Sequence, residues 1–457
     1  MFGPPDLLGE TVPVEERYKV ISYADDLKPA VTSIQEILLV DKASGLFKAA
    51  SGCRLHRDPA SQKCKLLPLG KWRSNLKQED LPPSCSYMVI SDHLDMVGVE
   101  LRHTWTQTRK ANGDIIQDRI SKMINPWKSG KFMPVTMRPW SINSYALSKV
   151  WFRCHSVDLR TADILAISRS VKSWMYADMF EKPAEMIMFR PTFYGGLGVL
   201  CPKFRALACL IRSFLETAAN PTFRRNLFHE QLFRYHIMLD RSIPNPGFPP
   251  YYSPDFFNTI KNAKDDTSLN ITMMTTSEWT TFLVEENVTM ATLPDQTRDF
   301  LPCKAELAQP SNDWQKTWYL ARMRGLGPEH TSFLWKLLHL LLPIKERLHR
   351  LSPATSPTCS LCSNSSYEDM DHAFLTCDHN QGAGDALVQV LSHHLPSISM
   401  EKILILEFEE LSEDDEFPVV WFTAAFLLAI WERRTANQRI RCYEIRAEIE
   451  GKIALLR

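Results

Sequence analysis

A short β-prone run leads into two adjacent aspartates in the segment Lys19-Val20-Ile21-Ser22-Tyr23-Ala24-Asp25-Asp26-Leu27. Adjacent carboxylates at a hairpin tip repel each other in water, so they persist mainly where a divalent cation neutralises them. Hard cations such as Mg²⁺ take oxygen ligands, often one or two carboxylates together with substrate phosphates. Two such ions about 4 Å apart can hold the attacking and leaving oxygens of a nucleotidyl transfer. The same four residues also occur in ordinary Asp-Asp turns. The residues that follow must therefore decide between a metal-binding site and an ordinary turn.

The composition is that of a globular protein without net charge. The 457 residues are 44% hydrophobic and 23% charged, with equal numbers of basic and acidic side chains, so overall charge indicates no particular partner. The N-terminal residues lack the basic start and apolar core of a secretory signal. The most apolar run, 418–431, is too short to cross a bilayer. We therefore expect an intracellular protein, nuclear or cytoplasmic, with no membrane partner and with reduced cysteines.

A helix and further strands are predicted after the aspartates. Thr32 or Ser33 can cap a helix that runs from about Ser33 to Ala50. Ser51-Gly52 follows, and glycine suits a C-terminal turn. Strands are predicted at Cys53-Arg54-Leu55, at Lys63-Cys64 and at Val97-Gly98-Val99.

This order resembles the second half of the palm of a reverse transcriptase, and most closely that of LINE-like retrotransposons, which lack long terminal repeats. In that family Tyr-Ala-Asp-Asp is the catalytic hairpin, so the resemblance implies that Asp25 and Asp26 are catalytic and bind Mg²⁺. It further implies that Tyr23 packs near the primer end and that Lys63 contacts the incoming nucleotide. We therefore predict that both aspartates lie at a β-hairpin tip.

Two further segments carry the resemblance. The family's Ser-Gly-x-x-Leu-Asn segment is similar to residues 51–56, where His56 replaces the asparagine. Its primer-grip hairpin is similar to residues 97–99, where Val97 replaces the leucine. Neither replacement touches the chemistry directly.

The resemblance implies RNA-directed DNA polymerisation. The partners would be an RNA template, a DNA primer, the RNA–DNA hybrid that they form, and deoxynucleoside triphosphates. The family's first catalytic aspartate lies upstream of the hairpin on a separate strand, and nothing before Lys19 matches it. We therefore expect a partial enzyme that is incomplete for catalysis on its own. Two alternatives stay open: a non-catalytic nucleic-acid-binding remnant or domesticated protein, and a structural or partner-binding helical protein.

Basic residues accumulate in the next region. Helices are predicted at about Asp114–Asn125, Arg138–Cys154 and Thr161–Met175. Several residues of this region, together with Gly195-Gly196-Leu197-Gly198-Val199, resemble the LINE-like thumb. A positive helical face beside aromatic residues suits a nucleic-acid backbone, although a solvated face is the ordinary alternative. The expected nucleic-acid contacts are Lys122, Lys128, Lys131, Arg138 and Lys149.

The glycine cluster itself, Gly195-Gly196-Leu197-Gly198, lacks the spacing of a nucleotide-binding loop. We predict that it forms a packed turn.

A second chemical cluster is Cys359-x2-Cys362-x9-His372-x4-Cys377. Cys-x-x-Cys lets two thiolates bind one ion from a tight turn, and a histidine and a third cysteine complete a tetrahedral Zn²⁺ site. The segment is similar to the zinc-binding segment that follows the thumb in many LINE-like polymerases. His379 could substitute as a ligand. The alternative is four unconnected residues, or a segment that has lost its metal.

The predicted fold is α+β and mostly α: a truncated reverse-transcriptase palm followed by a helical thumb and a helical C-terminal region. The predicted segments are the C-terminal part of the palm (1–112), a helical thumb and connection (113–243), a loop-rich then helical linker (244–350), a zinc-binding segment (351–400), and an acidic loop with a C-terminal helix (401–457). Residues 407–416 are expected to form the acidic loop, before a helix from about Pro418. Arginines of that helix, including Arg434, could touch RNA, although a solvated helix face is the alternative.

Overall fold

The computed structural model describes residues 20–23, 26–52, 57–61, 63–129, 133–177, 179, 182–219, 254–266, 269–287, 314–362, 366–408, 411–438, 443–445 and 447. The described residues are 62% helix and 5% strand, which confirms the predicted fold class. The chain divides into two compact units. The first comprises residues 1–123, 146–169 and 201–283, and the second comprises residues 124–145, 170–200 and 284–457.

Two antiparallel strands flank Ala24 and Asp25 in the sequence. Strand β1 is Val20–Tyr23 and strand β2 is Asp26–Pro29, and Tyr23 lies directly opposite Asp26. Val20 and Ile21 are β-branched, which favours extended backbone. Asp26 is the first residue of the returning strand, next to the predicted tip. Ala24 and Asp25 lie outside the described residues.

Helix α1, Ile34–Ser51, follows the hairpin and confirms the predicted cap. The Ser33 Oγ accepts a hydrogen bond from the backbone N–H of Glu36 at 3.2 Å. Gly52 ends the helix in the left-handed region with φ of 74°, and its N–H donates to the Lys48 carbonyl. The helix packs Ile37 into a small core with Leu81, Cys85, Tyr87 and Met88.

The other strands among the described residues form two further two-stranded sheets. Strand β3, Lys65–Leu66, pairs in parallel with β4, Val89–Ile90. Strand β5, His93–Met96, pairs antiparallel with β6, Val99–Arg102. The predicted strand at Val97-Gly98-Val99 is therefore wrong in detail. Val97 and Gly98 have φ of 47° and 77°, which makes them the two-residue turn of a hairpin. The predicted strand at residues 53–55 lies outside the described residues.

The remaining α-helices of the described residues are α2 Trp105–Ile124, α3 Arg138–Ser141, α4 Ser148–Cys154, α5 Thr161–Met175, α6 Glu185–Phe189, α7 Pro202–Ala219, α8 Pro254–Asp265, α9 Thr276–Asn287, α10 Trp314–Leu320, α11 Pro328–Leu338, α12 Lys345–Leu351, α13 Gln381–Leu391, α14 Met400–Leu404 and α15 Glu413–Thr435. A π-helical segment, Ile142–Leu147, joins α3 to α4, so the predicted helix Arg138–Cys154 is continuous but not regular. The prediction of Thr161–Met175 is confirmed at both ends. No described helix is both long enough and apolar enough to cross a membrane.

Helix α15 corrects the prediction of an acidic loop up to Glu416. The helix begins at Glu413, and the Ser412 Oγ accepts from the Asp415 N–H at 3.3 Å. Acidic side chains in the first turn are favourable because they face the positive end of the helix dipole. The acidic residues from Glu413 onward are thus a helix start rather than a loop.

The first unit contains a buried polar junction around Asn112, which is fully buried on α2. Its side chain donates to the Glu100 carbonyl at 2.7 Å and accepts from the Glu100 N–H at 3.1 Å. The Asn112 Oδ1 also accepts from the Arg153 guanidinium at 2.5 Å. Because buried polar groups are costly unless they are paired, these bonds fix the β5–β6 hairpin, α2 and α4 to one another.

The second unit is organised around the glycine cluster. The Gly195 carbonyl accepts hydrogen bonds from the Trp335 indole at 2.9 Å and from the His339 Nε2 at 2.7 Å. The Gly196 carbonyl accepts from the Arg322 guanidinium at 2.6 Å. Gly195 and Gly198 have φ of 79° and 72°, which glycine adopts without strain. The predicted packed turn is confirmed.

His339 should make the stability of this unit depend on pH. Burial lowers the pKa of His339 to about 4, so the ring is neutral in the folded state. Below its ordinary pKa of 6.5 the unfolded chain takes up a proton that the folded ring resists, so stability is present above pH 6.5 and is lost as pH falls toward 4. We expect a loss of about 2 kcal/mol between pH 7.5 and pH 5 from this residue.

Urea unfolding of the wild type and of His339→Gln at both pH values, with zinc present, measures this effect. The glutamine keeps an amide donor for the Gly195 carbonyl but does not titrate. The wild type should lose more stability than the variant on acidification. If both proteins lose the same free energy of unfolding on acidification, His339 is not the source of the pH dependence.

Candidate metal centre

The four predicted zinc ligands are brought together by two local structures. A short antiparallel contact pairs Thr358 with Tyr367, and the Cys359 N–H donates to the Ser366 carbonyl at 2.8 Å. This contact folds the Cys-x-x-Cys loop back toward the segment that carries His372. A single π-helical segment, His372–Thr376, then follows, and the Cys377 N–H donates to the His372 carbonyl at 3.1 Å. This bond from residue i+5 to residue i explains why four residues separate the last two ligands.

The ligand atoms have the spacing of a tetrahedral site. All four, from Cys359, Cys362, His372 and Cys377, lie within 4.8 Å of one another. The Cys359 and Cys377 sulfurs are 4.0 Å apart, and the Cys362 sulfur is 3.5 Å from the His372 Nε2. Zinc bonds of about 2.3 Å to sulfur and 2.0 Å to nitrogen place tetrahedral ligands roughly 3.5–3.8 Å apart. None of these three cysteines forms a disulfide bond. The residues therefore fit one Zn²⁺, with only a slight contraction.

The site is closed, as in structural zinc centres. Cys359, His372 and Cys377 are buried and Cys362 is half-buried. Burial raises the pKa of Cys359 and lowers the pKa of His372. A neutral imidazole is the form that binds a metal. His379, the predicted substitute, is not part of the cluster.

Arg434 is the residue of this centre whose role the sequence did not indicate. It lies near the end of α15, and its side chain is 4% exposed. The predicted contact with RNA and the alternative of a solvated helix face are therefore both wrong for Arg434. Its Nη2 donates to the Cys359 sulfur at 3.2 Å and to the Glu368 Oε2 at 2.8 Å. Burial lowers the pKa of Arg434, but hydrogen bonding to Cys377 and the charge of Glu368 outweigh this and raise it. Ile430 and Leu427 are apolar and lie one and two turns earlier on the same face, which was a signal that Arg434 also faces inward.

Glu368 connects Arg434 to a helix start. Its side-chain Oε1 accepts from the Lys345 N–H at 3.1 Å, and its carbonyl accepts from the Glu346 N–H at 3.0 Å. These are the first two residues of α12, whose N–H groups have no partner within the helix. One buried carboxylate thus fixes both the guanidinium and the start of α12.

The residues expected at the polymerase site are only partly described. Tyr23 and Asp26 are paired in the backbone register of the β1–β2 ladder, and Asp25 lies outside the described residues. Lys63 is exposed in the loop that precedes β3. The Mg²⁺ and substrate contacts implied for these residues stay predictions.

The expected nucleic-acid contacts differ in their surroundings. Lys122 is exposed and forms an ion pair with Asp118 at 2.7 Å on the same helix. Lys149 is exposed on α4, Lys128 lies in the 3₁₀ turn after α2, and Lys131 lies outside the described residues. Arg138 is 1% exposed, and its guanidinium donates to the Met133 carbonyl at 3.0 Å and to the Met175 carbonyl at 2.6 Å. This burial favours a structural role for Arg138 over contact with nucleic acid.

The metal centre coincides with a known family segment. Residues 304–383 match the family model described as zinc-binding in reverse transcriptase, and all four ligands lie inside this match. A search of curated proteins found no match. The family match supports a protein related to reverse transcriptases. Together with the convergent cysteines and histidine, it also supports zinc binding.

Proposed function

We propose that this chain forms the C-terminal palm, thumb and zinc-binding segment of a LINE-like reverse transcriptase, an RNA-directed DNA polymerase. The observation that carries the proposal is the family match at residues 304–383, with its four ligands converged. The β1–β2 hairpin adds support because it places Tyr23 opposite Asp26 directly before a capped helix, in the order of the family's palm.

In this function Asp25 and Asp26 would bind Mg²⁺ through their carboxylate oxygens. The ion, when bound, would neutralise phosphate charge and activate the primer 3′-OH. Tyr23 would pack near the primer end, and Lys63 would contact the incoming triphosphate. Two-metal transfer needs carboxylates on both sides of the ion pair, so a further carboxylate must complete the site.

Primer extension tests the proposal. The full chain would be assayed on an RNA template with a DNA primer, Mg²⁺ and four deoxynucleotides, with the fingers and first palm strand of a relative supplied in trans. We expect extension, reduced at least about 100-fold by Asp26→Asn, because the loss of a metal-binding carboxylate removes several kcal/mol of charge stabilisation.

Glu79→Gln, which changes an exposed carboxylate of the same unit, is the matched control and should leave extension unchanged. Equal extension by Asp26→Asn and the wild type would refute the assigned site. Absence of extension with every complement would count against the polymerase function.

The proposed function also requires duplex binding through the basic region. Lys122 and Lys149 are exposed in the first unit, so reversing both to glutamate should weaken binding to an RNA–DNA hybrid. Because each phosphate contact releases counterions, the slope of log affinity against log salt should fall by about two. Sequence preference should not change, since phosphate contacts do not read bases.

Fluorescence anisotropy at several salt concentrations measures this slope. The control is reversal of Lys42 and Lys48, two exposed lysines of α1. An unchanged slope in the Lys122/Lys149 variant would assign these lysines to an ordinary solvated face.

A further inference from the structure

We propose that Arg434 is a positioning residue of the metal centre, which stabilises the Cys359 thiolate as a ligand through a charged N–H···S hydrogen bond. The inference rests on metal binding by the four-residue cluster and not on polymerase activity. It starts from a geometric fact: one guanidinium nitrogen, Nη2, is shared between the Cys359 sulfur at 3.2 Å and the Glu368 carboxylate at 2.8 Å.

The charge of the loaded centre calls for a nearby cation. Zn²⁺ with three thiolates and a neutral histidine carries a formal charge of −1. A net charge is costly in a buried site unless it is paired and hydrogen-bonded. Arg434 is a permanent cation whose side chain is 4% exposed, and its Nη2 contacts the Cys359 sulfur. The contact therefore puts a positive charge against the sulfur and offsets the negative charge of the loaded centre.

Glu368 serves to orient this cation. Its side chain is 8% exposed, and its two oxygens are divided between Arg434 and the Lys345 N–H. The backbone of Glu368 is held in turn, because its N–H donates to the Pro357 carbonyl at 2.9 Å. Carboxylate, guanidinium and thiolate thus form a chain in which each group fixes the next. Residues that hydrogen-bond to metal ligands commonly weaken metal binding 10- to 100-fold when they are mutated.

The position of Arg434 in the chain agrees with this role. It lies 75 residues beyond Cys359, on a helix that supplies no ligand of its own. The same helix also contacts the π-helical segment His372–Thr376, because Trp431 stacks on Phe374 with ring centroids 6.0 Å apart. This apolar contact already holds the helix against the metal-binding segment. Packing therefore does not explain why a charged side chain lies beside the Cys359 sulfur.

The test compares full-length variants in which residue 368 is neutral, so that removal of Arg434 does not leave a buried carboxylate without its guanidinium partner. Replacing Arg434 alone would leave the buried Glu368 carboxylate without its charged partner. The informative pair is therefore Glu368→Gln and the double variant Glu368→Gln/Arg434→Gln. Glutamine at position 368 retains an oxygen for the Lys345 N–H. Arg434→Lys is a third variant that keeps the charge but loses the fork geometry.

Zinc affinity would be measured by competition with a chromophoric chelator, and Co²⁺ would be used as a spectroscopic probe. We expect one ion per chain in all variants and about 10- to 100-fold weaker zinc binding in the double variant than in Glu368→Gln, with Arg434→Lys intermediate. The sulfur-to-cobalt charge-transfer band should shift in the double variant, since hydrogen bonds to a thiolate tune its bonding to the metal. A purely structural role would leave this band unchanged.

The possible outcomes distinguish the role of Arg434 from metal binding itself and from polymerase activity. Equal affinity and an identical cobalt spectrum in the two Glu368→Gln backgrounds would overturn the role of Arg434 while the metal site stands. A wild-type chain that binds neither ion would overturn both. Neither result depends on whether the chain extends a primer.

Discussion

Loss of the metal should destabilise the second unit more than any single side-chain truncation in it. Metal-loaded protein should contain about one zinc per chain, and a strong chelator or Cys359→Ser should remove it. The ligands come from a loop and a π-helical segment, so a bound ion would join two parts of the chain and its binding would add to the stability of the fold. Structural zinc contributes roughly 10–16 kcal/mol in small zinc-binding peptides, and part of that should be lost. Elemental analysis and thermal unfolding with and without chelator measure both effects.

Cys209→Ser is the matched control for Cys359→Ser. Both cysteines are buried, but Cys209 lies on α7 outside the cluster, and burial raises its pKa to about 11. Each substitution introduces a buried hydroxyl, whereas only Cys359→Ser should change zinc content. If the wild type carries no zinc and unfolds identically with and without chelator, the metal assignment is wrong.

The parts of the fold that sequence predicted are those that local chemistry specifies. Ser33 and Gly52 mark the ends of α1 because a hydroxyl can cap N–H groups and glycine can adopt positive φ. The zinc ligands were found for the same reason, since their spacing reflects one tight turn and one π-helical segment. Such signals act over a few residues, so one sequence is enough to recognise them.

Two helix starts were misplaced although their signals were present. Helix α2 begins at Trp105 rather than Asp114, because Thr104 and Gln107 cap each other: each accepts from the other's backbone N–H at 3.2 Å. Helix α15 begins at Glu413, because Ser412 caps it. In the second case the run of acidic residues resembled a solvated loop, and the cap before it decided the structure.

Arg434 could not be found from spacing. Its contact with Cys359 joins residues 75 positions apart, and nothing local specifies that pairing. The apolar period of α15 could have predicted that Arg434 is buried, but not which group it meets. The burial of Arg138 is a similar case. Its partners are the backbone carbonyls of Met133 and Met175, and every residue has a carbonyl, so the sequence does not indicate which ones accept.

Gly196→Ala should cost more than about 4 kcal/mol of stability, an exceptional value for the addition of one methyl group. A Cβ at this position would lie 1.9 Å from the Arg190 carbonyl oxygen and 2.3 Å from its carbon. Backbone atoms cannot rotate away as a flexible side chain can. The same oxygen accepts from the Gly198 N–H at 2.9 Å, so moving it breaks a further hydrogen bond.

The turn has little freedom to absorb this clash. The Gly196 carbonyl is held by Arg322, and the neighbouring Gly195 carbonyl is held by Trp335 and His339. These donors are partly or fully buried, so a shift of the turn would leave them without partners, at about 1–3 kcal/mol each. Urea unfolding monitored by circular dichroism would give the loss in free energy, and insoluble expression of the variant would agree with it.

Gly384→Ala is the matched control in the same unit. Gly384 lies within α13, where an added Cβ meets nothing closer than Met400 at 3.9 Å, an ordinary contact. Alanine is the better helix former, so this variant should be stabilised by about 0.5–1 kcal/mol. The same chemical change should thus have opposite signs at the two glycines. A Gly196→Ala protein within about 1 kcal/mol of the wild type would mean that the turn is looser than these contacts require.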